Sequence, residues 1–547
     1  MHLLLCLILS CQKEHKQQVE KQKPPLNILW ITNEDMSPHL GCYGDTIART
    51  PNLDEFAKES IRFTHAFSVS GVCAPSRSCL ITGMYPTSIG AQHMRTQKRT
   101  SALDQITDPK LLAIPVYEAT PPVGVKCFTE YLRKEGYYCT NNSKTDYQFA
   151  NPVTAWDESS RNAHWKNRKE GQPFFSVFNI GITHESQVWA RKDDPLITDP
   201  AKVRVPPYYP DTETIRRDIA RNYDNIALMD DKVGEILAEL EADGLMENTV
   251  IFYYSDHGDG LPRAKRWVYD SGLQVPLLVR FPNAENGGTV NDQLVSFVDF
   301  APTILSLLRI DIPAYMQGKA FLGEKADIPR KYIYAARDRM DPATDTRRAV
   351  RDHQFKYIKN YQPNKPYIQF LPYRDKMDLM QELLRYKKEG LLNENQWQIA
   401  SGAKPLEELY DTHNDPYEIN NLADDPEYKN QLETLRKAHE NWKEKYGDLG
   451  HMPEVELIKK LWPPNGVQPF TASPKIKANL LEGKQQVQIE LTCATDGASI
   501  AYKFPDSPNW LLYHQPLTLI NSDSIQTKAI RIGYKESETT VQWINVD

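Results

Sequence analysis

The chain has 547 residues, of which 40% are hydrophobic and 25% are charged, and its formal net charge is -7 at pH 7. This length exceeds what one hydrophobic core supports and favours two to four domains of about 150 residues each. The acidic balance excludes the basic surface that nucleic-acid-binding proteins carry, so no nucleic-acid partner is expected.

Residues 1–10, MHLLLCLILS, form an apolar run that is too short to span a bilayer and is typical of a signal-peptide core. The run predicts export to the periplasm or the cell surface. Cys11 follows an Ile-Leu-Ser triplet that resembles the lipobox of bacterial lipoproteins, so a lipid anchor there would be the only membrane contact. A plain cleaved signal and a mis-assigned start codon are the alternatives. Residues 11–25 have the polar composition of a solvated tether.

Apolar runs of strand length alternate with helical patterns over residues 26–330. Each run is polar only at its end, which is typical of a strand buried on both faces. The alternation predicts a catalytic α/β domain whose large, mostly parallel sheet lies between layers of helices. Strands are predicted at 26–32, 137–140, 173–182, 249–255 and 275–281, and helices at 52–63, 128–136 and 226–244.

The pattern of predicted elements changes after residue 330. Residues 331–465 predict a smaller C-terminal α+β subdomain with an antiparallel sheet and a turn-rich acidic segment. Residues 470–547 alternate short strands with turn residues, which predicts a small β-sandwich as an accessory module. No CxxC spacing occurs among the cysteines after the leader, so no zinc knuckle is expected, while a single disulfide such as Cys127 with Cys139 stays open.

Polar side chains follow the ends of several predicted strands. They are Glu34 and Asp35, Lys144, His184, and Asp256 with His257. Ligands of open α/β sheets bind beyond the carboxyl ends of the strands, so these groups are expected to meet in one crevice. Carboxylates at two strand ends suit a hard divalent cation, Ca²⁺ first and Mg²⁺ second, against the alternative of solvated loop acids.

The stretch GVCAPSRSCLITG, residues 71–83, places a cysteine at a predicted helix start. Backbone N–H groups there favour anions, and Arg77 can offer a fork of donors to an oxyanion. Cys73 could therefore be a thiolate nucleophile or a small buried hydrophobe. A thiolate beside a cluster of carboxylates is electrostatically unfavourable, which indicates that Cys73 does not act as a thiol.

Residues 73–83 resemble the C-x-P-S-R-x-x-x-L-x-T-G signature of the formylglycine-dependent (type I) sulfatases, within the alkaline-phosphatase-like superfamily. Residues 26–35, 247–260 and 408–423 resemble further blocks of that family, and the likeness covers about residues 26–445. Bacterial carbohydrate sulfatases are the nearest in appearance. The resemblance implies that a maturation enzyme oxidises Cys73 to formylglycine, whose hydrate attacks the sulfate.

The resemblance also implies roles for the strand-end residues. Metal ligands would be Glu34, Asp35, Asp256 and His257, together with position 73. Sulfate would be held by Arg77, Lys144 and Lys265, and His184 would act as the acid at the leaving oxygen.

Two positions depart from the family pattern. Glu34 stands where aspartate is usual, and Lys144-Thr145-Asp146 stands where the family has Lys-x-His. His93 is a candidate for the missing histidine, and a structural or substrate-contact role for it stays equally open.

The expected activity is hydrolysis of sulfate esters from oligosaccharides of a sulfated polysaccharide, ulvan-like or glycosaminoglycan. His93, Arg263, Arg337 and Asp338 are candidates for contacts with charged sugars, although ion pairs explain such residues as well. The alternatives are an N-sulfoglucosamine sulfohydrolase, a phosphonate or phosphate monoester hydrolase of the same superfamily, and an inactive glycan-binding lipoprotein.

Overall fold

The structure is a computed structural model that describes residues 25–96, 106–481 and 485–546. The predicted signal peptide, the lipid anchor at Cys11 and nearly all of the tether lie outside the described residues. Within them, no helix is both long and apolar enough to cross a membrane.

An eight-stranded mixed sheet lies at the centre of the N-terminal part of the chain. Its strands are β1 (Asn27–Asn33), β2 (Ile61–Phe67), β3 (Tyr138–Asn142), β4 (Glu158–Ser159), β5 (Phe174–Ile180), β6 (Thr249–Ser255), β7 (Gln274–Arg280) and β8 (Val290–Ser296). The spatial order is β4-β3-β5-β1-β6-β7-β2-β8. Neighbours are parallel from β4 to β6 and between β2 and β8, whereas β7 is antiparallel to both β6 and β2.

Helices cover both faces of this sheet. They are α1 (Pro51–Lys58), α2 (Cys73–Thr82), α3 (Pro86–Ile89), α4 (Pro109–Leu112), α5 (Phe128–Lys134), α6 (Ser186–Ala190), α7 (Glu213–Ala242), α8 (Asp270–Leu273) and α9 (Phe300–Leu307). Successive side chains of β1 point to opposite faces. Leu29 and Ile31 therefore pack with α1 and α7, while Ile28 and Trp30 pack with α2, α5 and α9. The predicted burial of the sheet on both faces is confirmed.

The first predicted helix is wrong at its end. It stops at Lys58, and β2 occupies residues that the helical pattern had included. Ile61 and Phe63 are buried while Arg62 is not, so the two-residue alternation of a strand outweighs the helical spacing here. The Thr50 hydroxyl does not cap the helix backbone but contacts the Asp54 carboxylate at 3.2 Å.

The predicted antiparallel sheet after residue 330 is present. It has the order β12-β11-β10-β9, with β9 (Ile333–Arg337), β10 (Arg347–Arg351), β11 (Phe355–Asn360) and β12 (Glu407–Asp411). The later helices are α10 (Asp378–Glu389), α11 (Trp397–Ala400), α12 (Lys429–Tyr446) and α13 (Glu454–Leu461). Leu432 and Leu435 of α12 pack against Val350, Tyr357 and Leu409 of the sheet.

Two antiparallel sheets form the last part of the chain. Their strands are β13 (Lys475–Leu480), β14 (Val487–Thr492), β15 (Ser499–Lys503), β16 (Leu511–Tyr513), β17 (Leu517–Leu519), β18 (Asp523–Ile530) and β19 (Thr540–Ile544). The sheets have the orders β13-β14-β17 and β16-β15-β18-β19, and they enclose a small apolar core of their own. Lys126 donates to the Gly497 carbonyl at 2.7 Å and Arg133 to the Trp510 carbonyl at 2.7 Å, which joins these sheets to α5.

The proposed boundaries of the three modules stay predictions. Cys127 and Cys139, whose disulfide was left open, are both buried free thiols.

Candidate active site

Four neighbouring parallel strands deliver the predicted site residues to one edge of the large sheet. Glu34 and Asp35 directly follow β1, and Asp256 and His257 directly follow β6. Lys144 follows β3, and His184 follows β5. Because β3, β5, β1 and β6 are adjacent and parallel, their carboxyl ends meet, as the sequence predicted.

The acidic residues form a buried cluster with Cys73 and the two histidines. Ligand atoms of Asp35, Cys73, Asp256 and His257 lie within 4.8 Å of one another, and those of Glu34 and His184 lie equally close to Asp35 and Cys73. His257 Nε2 is 2.9 Å from Asp35 Oδ1 and 3.6 Å from Asp256 Oδ1. The described side chains therefore provide a compact set of oxygen and nitrogen donors.

The donor chemistry of this cluster fits a divalent cation. Nδ1 of His257 lies 2.9 Å from the Gly258 carbonyl, so in the neutral ring Nδ1 carries the proton and the Nε2 lone pair faces the carboxylates. Burial lowers the pKa of His257, but Asp256 and Asp35 more than reverse this and raise it to about 10. The raised pKa shows that Asp35 and Asp256 favour a positive charge next to Nε2. A bound divalent cation would supply that charge in place of a proton.

The carboxylates stay ionised although they are buried. Burial raises the pKa of Asp35, but Lys265, His184 and His257 bring it well below its usual range. Burial likewise raises the pKa of Asp256, and His257 and Arg77 return it to about 2. Both groups can therefore act as anionic ligands at neutral pH.

Three cationic side chains surround the cluster. Arg77 Nε donates to Asp256 Oδ2 at 3.1 Å, and Lys144 Nζ donates to Glu34 Oε2 at 2.6 Å. Lys265 Nζ contacts Asp35 Oδ2 at 2.5 Å. Each cation contacts a different carboxylate of the cluster, and such side chains can also donate to a bound oxyanion.

Cys73 is the first residue of α2 and is fully buried. Its Sγ lies 3.4 Å from His257 Nε2 and 3.9 Å from Asp35 Oδ1. The helix starts here because Val72 is extended and Pro75 cannot donate to a helical bond in the first turn. The sulfur atom thus occupies the inner end of the cluster, where a group replacing it would be a further ligand.

His184 lies at the outer side of the cluster and is half-buried. Its Nδ1 accepts a hydrogen bond from the Ser186 backbone N–H at 3.3 Å, so Nε2 carries the proton. That Nε2 lies 3.9 Å from Glu34 Oε2. Burial and the nearby Lys265 lower the pKa of His184, so the neutral ring is the main form at pH 7 and the imidazolium is a stronger acid than usual.

Known proteins match the chain along its whole length. The family model for sulfatases matches residues 26–310, and that for the N-sulphoglucosamine sulphohydrolase C-terminal region matches residues 263–390. An ulvan-active sulfatase of Formosa agariphila is 44% identical over 98% of this chain and 96% of its own length. This chain belongs to the sulfatase family. The expected class of enzyme, a sulfuric ester hydrolase, is confirmed.

More distant relatives and solved structures agree with this sulfatase assignment. Human N-sulphoglucosamine sulphohydrolase is 25% identical over 80% of this chain and 94% of its own length. The structure of a 2-O GAG sulfatase superposes with a TM-score of 0.57 at 19% identity, covering 78% of this chain and 93% of that one. The structure of a protein in complex with D-glucosamine-2-N,6-O-disulfate superposes with a TM-score of 0.54 at 18% identity. The match covers 79% of this chain and 99% of that one. The predicted fold class is confirmed.

The two departures from the family pattern are both visible in this sulfatase. The longer side chain of Glu34 reaches Lys144, and Asp146 pairs with Arg95 Nη1 at 2.8 Å. His93 Nδ1 accepts from the Arg339 backbone N–H at 3.2 Å, and its carbonyl accepts from Gln148. These contacts of His93 lie with Arg339 and Gln148 and not with the carboxylates of the cluster, and a role for it in the reaction stays a prediction.

The other three candidates for sugar contacts are buried. Arg263 lies between the rings of Tyr208 and Tyr269, 4.2 Å from each centroid, and donates to Gln398 at 2.7 Å. Asp338 accepts from Arg348 at 3.1 Å and is fully buried. These contacts give Arg263 and Asp338 structural partners, whereas the Arg337 guanidinium donates no hydrogen bond to any described residue.

The sequence patterns did not identify two residues that contact the candidate site residues. Asn179 of β5 accepts from Arg77 Nη1 at 2.6 Å, and Glu185 lies between Lys265 at 3.2 Å and Arg266 at 2.5 Å. Glu185 directly follows His184 at a strand end, which was a usable signal. Asn179 lies inside an apolar run, where only its alternation toward the α2 face could have marked it.

Loss of the Arg348 guanidinium should destabilise the C-terminal subdomain strongly. Arg348 is fully buried between Asp338 and Asp448, and its Nε donates to Asp448 at 2.7 Å. Arg348→Met leaves two buried carboxylates without their cation, so we expect the free energy of unfolding to fall by about 3–5 kcal/mol. Denaturant unfolding measures this, with Arg385→Met on the exposed face of α10 as control. A loss below about 1 kcal/mol for Arg348→Met contradicts the structural role.

Proposed function

We propose that this sulfatase removes sulfate esters from oligosaccharides of a sulfated polysaccharide, ulvan-type first and glycosaminoglycan second. The observation that carries the proposal is the 44% identity to an ulvan-active sulfatase over nearly the whole chain. The intact set of cationic side chains around the cluster argues against an inactive glycan-binding protein.

A divalent cation, Ca²⁺ first, would be held by the carboxylates of Glu34, Asp35 and Asp256 and by Nε2 of His257. It would supply positive charge that polarises a sulfate oxygen and favours deprotonation of a hydroxyl at position 73. Arg77, Lys144 and Lys265 would bind the remaining sulfate oxygens and offset the charge that builds on them.

Position 73 would carry formylglycine, made from Cys73 by a maturation enzyme. As a hydrate, formylglycine supplies one hydroxyl that attacks sulfur and a second that allows sulfate to leave by elimination. The buried Cys73 sulfur marks where that side chain would lie, beside His257 and Asp35.

His184 would protonate the leaving oxygen as the sulfur–oxygen bond breaks. The acid would be the imidazolium, whose Nδ1–H can donate to Ser186 Oγ at 2.8 Å while Nε2–H carries the proton for transfer. A proton donor matters most when the leaving group is a poor one, as a sugar alcohol is.

His184→Asn should therefore lower kcat/KM by about 10²–10⁴-fold on a saccharide sulfate and by much less on nitrophenyl sulfate, which leaves without protonation. Steady-state assays of sulfate release measure both, and Gln187→Asn on the same turn serves as control. Equal losses on the two substrates contradict the acid role.

A sulfamidase activity is the second candidate. The match of residues 263–390 to the N-sulphoglucosamine sulphohydrolase C-terminal region favours it. The proposed site would bind the sulfuryl group through its non-bridging oxygens, and these are the same in a sulfate ester and in a sulfamate. Only the leaving atom differs.

A panel of defined substrates tests the proposed function. Ulvan oligosaccharides, O-sulfated and N-sulfated glycosaminoglycan disaccharides and an aryl phosphonate are each incubated with matured protein. Sulfate release from an O-sulfated saccharide is the expected result. Release only from N-sulfated glucosamine supports the sulfamidase, and phosphonate cleavage without sulfate release overturns the proposal.

The proposed location is the periplasm or the cell surface, with a lipid anchor at Cys11. A polysaccharide too large to cross a membrane would require such a location. The proposed partners are the sulfated saccharide and the maturation enzyme.

A further inference from the structure

The Arg337 guanidinium is buried without a hydrogen-bond partner. Arg337 ends β9, its side chain is 4% exposed, and both Nε and Nη1 lack an acceptor among the described residues. A guanidinium keeps its proton in proteins, so it cannot escape this situation by becoming neutral. An unpaired buried charge is costly, which indicates that an acceptor is missing from this place.

Among the described residues, each surrounding cation lies closer to a carboxylate than Arg337 does. Arg266 lies 2.5 Å from Glu185, Arg347 lies 2.9 Å from Glu408, Arg374 lies 2.7 Å from Asp375, and Lys404 lies 3.4 Å from Asp345. The only carboxylate near Arg337 is the same Asp345, at 3.9 Å from Nη1 among the described residues. Arg337 and Lys404 therefore share the single carboxylate of Asp345, which leaves a surplus of positive charge around Arg337 among the described residues.

The pKa shifts of Arg337 and Lys404 agree with this surplus. Burial lowers the pKa of Arg337; Asp345 opposes this, and the nearby Arg347, Arg374 and Arg266 lower it further, to about 10. Burial also lowers the pKa of Lys404 to about 8, against the pull of Asp345. A negative charge placed near Arg337 and Lys404 would raise both pKa values toward their usual range.

The surplus lies beside the proposed catalytic residues. Arg266 shares Glu185 with Lys265, and Tyr373, next to Arg374, has its ring 6.2 Å from that of His184. Three residues after Arg337, Met340 packs against Val72 and Ala74, which flank Cys73. Three residues span at most about 10 Å, so the Cα atom of Arg337 lies within that distance of a residue that contacts the segment around Cys73.

We propose that Arg337 binds a second anionic group of the saccharide, a uronate carboxylate or a second sulfate, on the His184 side of the reacting sulfate. This assignment rests on the proposed function, in which the substrate is a saccharide. It adds that the saccharide carries a second anionic group besides the reacting sulfate. Arg374 and Arg266 reinforce the positive potential while remaining paired with Asp375 and Glu185. The substrate class is thus a saccharide with at least two anionic groups.

Binding measurements test this assignment without relying on turnover. Cys73→Ala protein and Cys73→Ala/Arg337→Met protein are titrated calorimetrically with a sulfated uronate oligosaccharide and with its carboxyl-reduced analogue. A disulfated and a monosulfated neutral oligosaccharide form the second arm. We expect Cys73→Ala protein to bind the more anionic ligand of one pair about 10- to 100-fold more tightly than the less anionic one. The Cys73→Ala/Arg337→Met protein should lose that preference.

The arm in which the preference appears identifies the anion as carboxylate or sulfate. Arg337→Lys keeps the positive charge but loses the paired N–H donors of the guanidinium, so it should retain part of the preference. Arg385→Met, which removes a charge from the exposed face of α10, should retain all of it. Because an unpaired charge is removed, Arg337→Met protein should melt no lower than wild type, whereas a structural salt bridge predicts a Tm lower by several degrees.

Equal affinities in both arms, no binding, or equal weakening of every ligand by Arg337→Met overturns the assignment. A preference that Arg337 controls, found in a protein that releases no sulfate from any substrate, leaves the assignment standing and overturns the proposed function.

Discussion

Replacing Cys73 by alanine or serine should lower kcat/KM for sulfate release by at least about 10⁴-fold. Alanine provides no nucleophile. Serine provides one hydroxyl and lacks the second that the proposed release of sulfate requires, unless a serine-type maturation enzyme converts it. Sulfate release from a saccharide substrate over long incubations measures both variants.

Cys79 offers a matched control for this experiment. It lies in the same helix α2 and is equally buried, and burial raises the pKa of its thiol far above the usual range. Cys79→Ala should cost about 1–2 kcal/mol of stability and leave turnover in the wild-type range. Substantial turnover by Cys73→Ser, without a serine-type maturase, contradicts the diol mechanism.

Removing divalent cations should lower the rate of sulfate release by about 10³-fold or more. The buried carboxylates of Asp35 and Asp256 remain anionic, and without a cation the sulfate meets uncompensated negative charge. Dialysis against a chelator, followed by return of Ca²⁺ or Mg²⁺, measures the loss and identifies the ion that restores turnover. The ion should also raise Tm, because it binds the folded state.

Asp35→Asn should reproduce the loss in the presence of the ion, since it removes one anionic ligand. Asp218→Asn is the control: this buried carboxyl lies elsewhere, its pKa is raised by burial to about 7, and it accepts from the Leu379 backbone N–H at 2.6 Å. Full activity in chelator, with no ion bound to the protein, contradicts the metal assignment.

The strand ends could be predicted from sequence because a strand buried on both faces is a continuous apolar run that stops where polar residues begin. Asp35, Asp256 and His257 each follow such a run directly, and parallel neighbours bring their ends together. The direction of β7 was not predictable, since parallel and antiparallel buried strands have the same apolar pattern. For β2, the alternation of a strand and the spacing of a helix competed over the same residues.

The environment of each charged residue could not be predicted. Arg337 and Asp338 are neighbours in the chain, yet Nε and Nη1 of Arg337 have no hydrogen-bond acceptor among the described residues, while Asp338 accepts from Arg348. Arg348 in turn takes a second carboxylate from Asp448, 100 residues along the chain. Likewise, Arg95 and Asp146 pair across 51 residues. Such pairs depend on tertiary contacts that no local spacing encodes.

The mass of the tryptic peptide spanning residues 63–77, taken from fully active protein, tests the central claim most directly. Formylglycine at position 73 is the predicted result, in a fraction of molecules that tracks the rate of sulfate release. A fully active preparation in which this peptide carries only an unmodified cysteine would contradict the account.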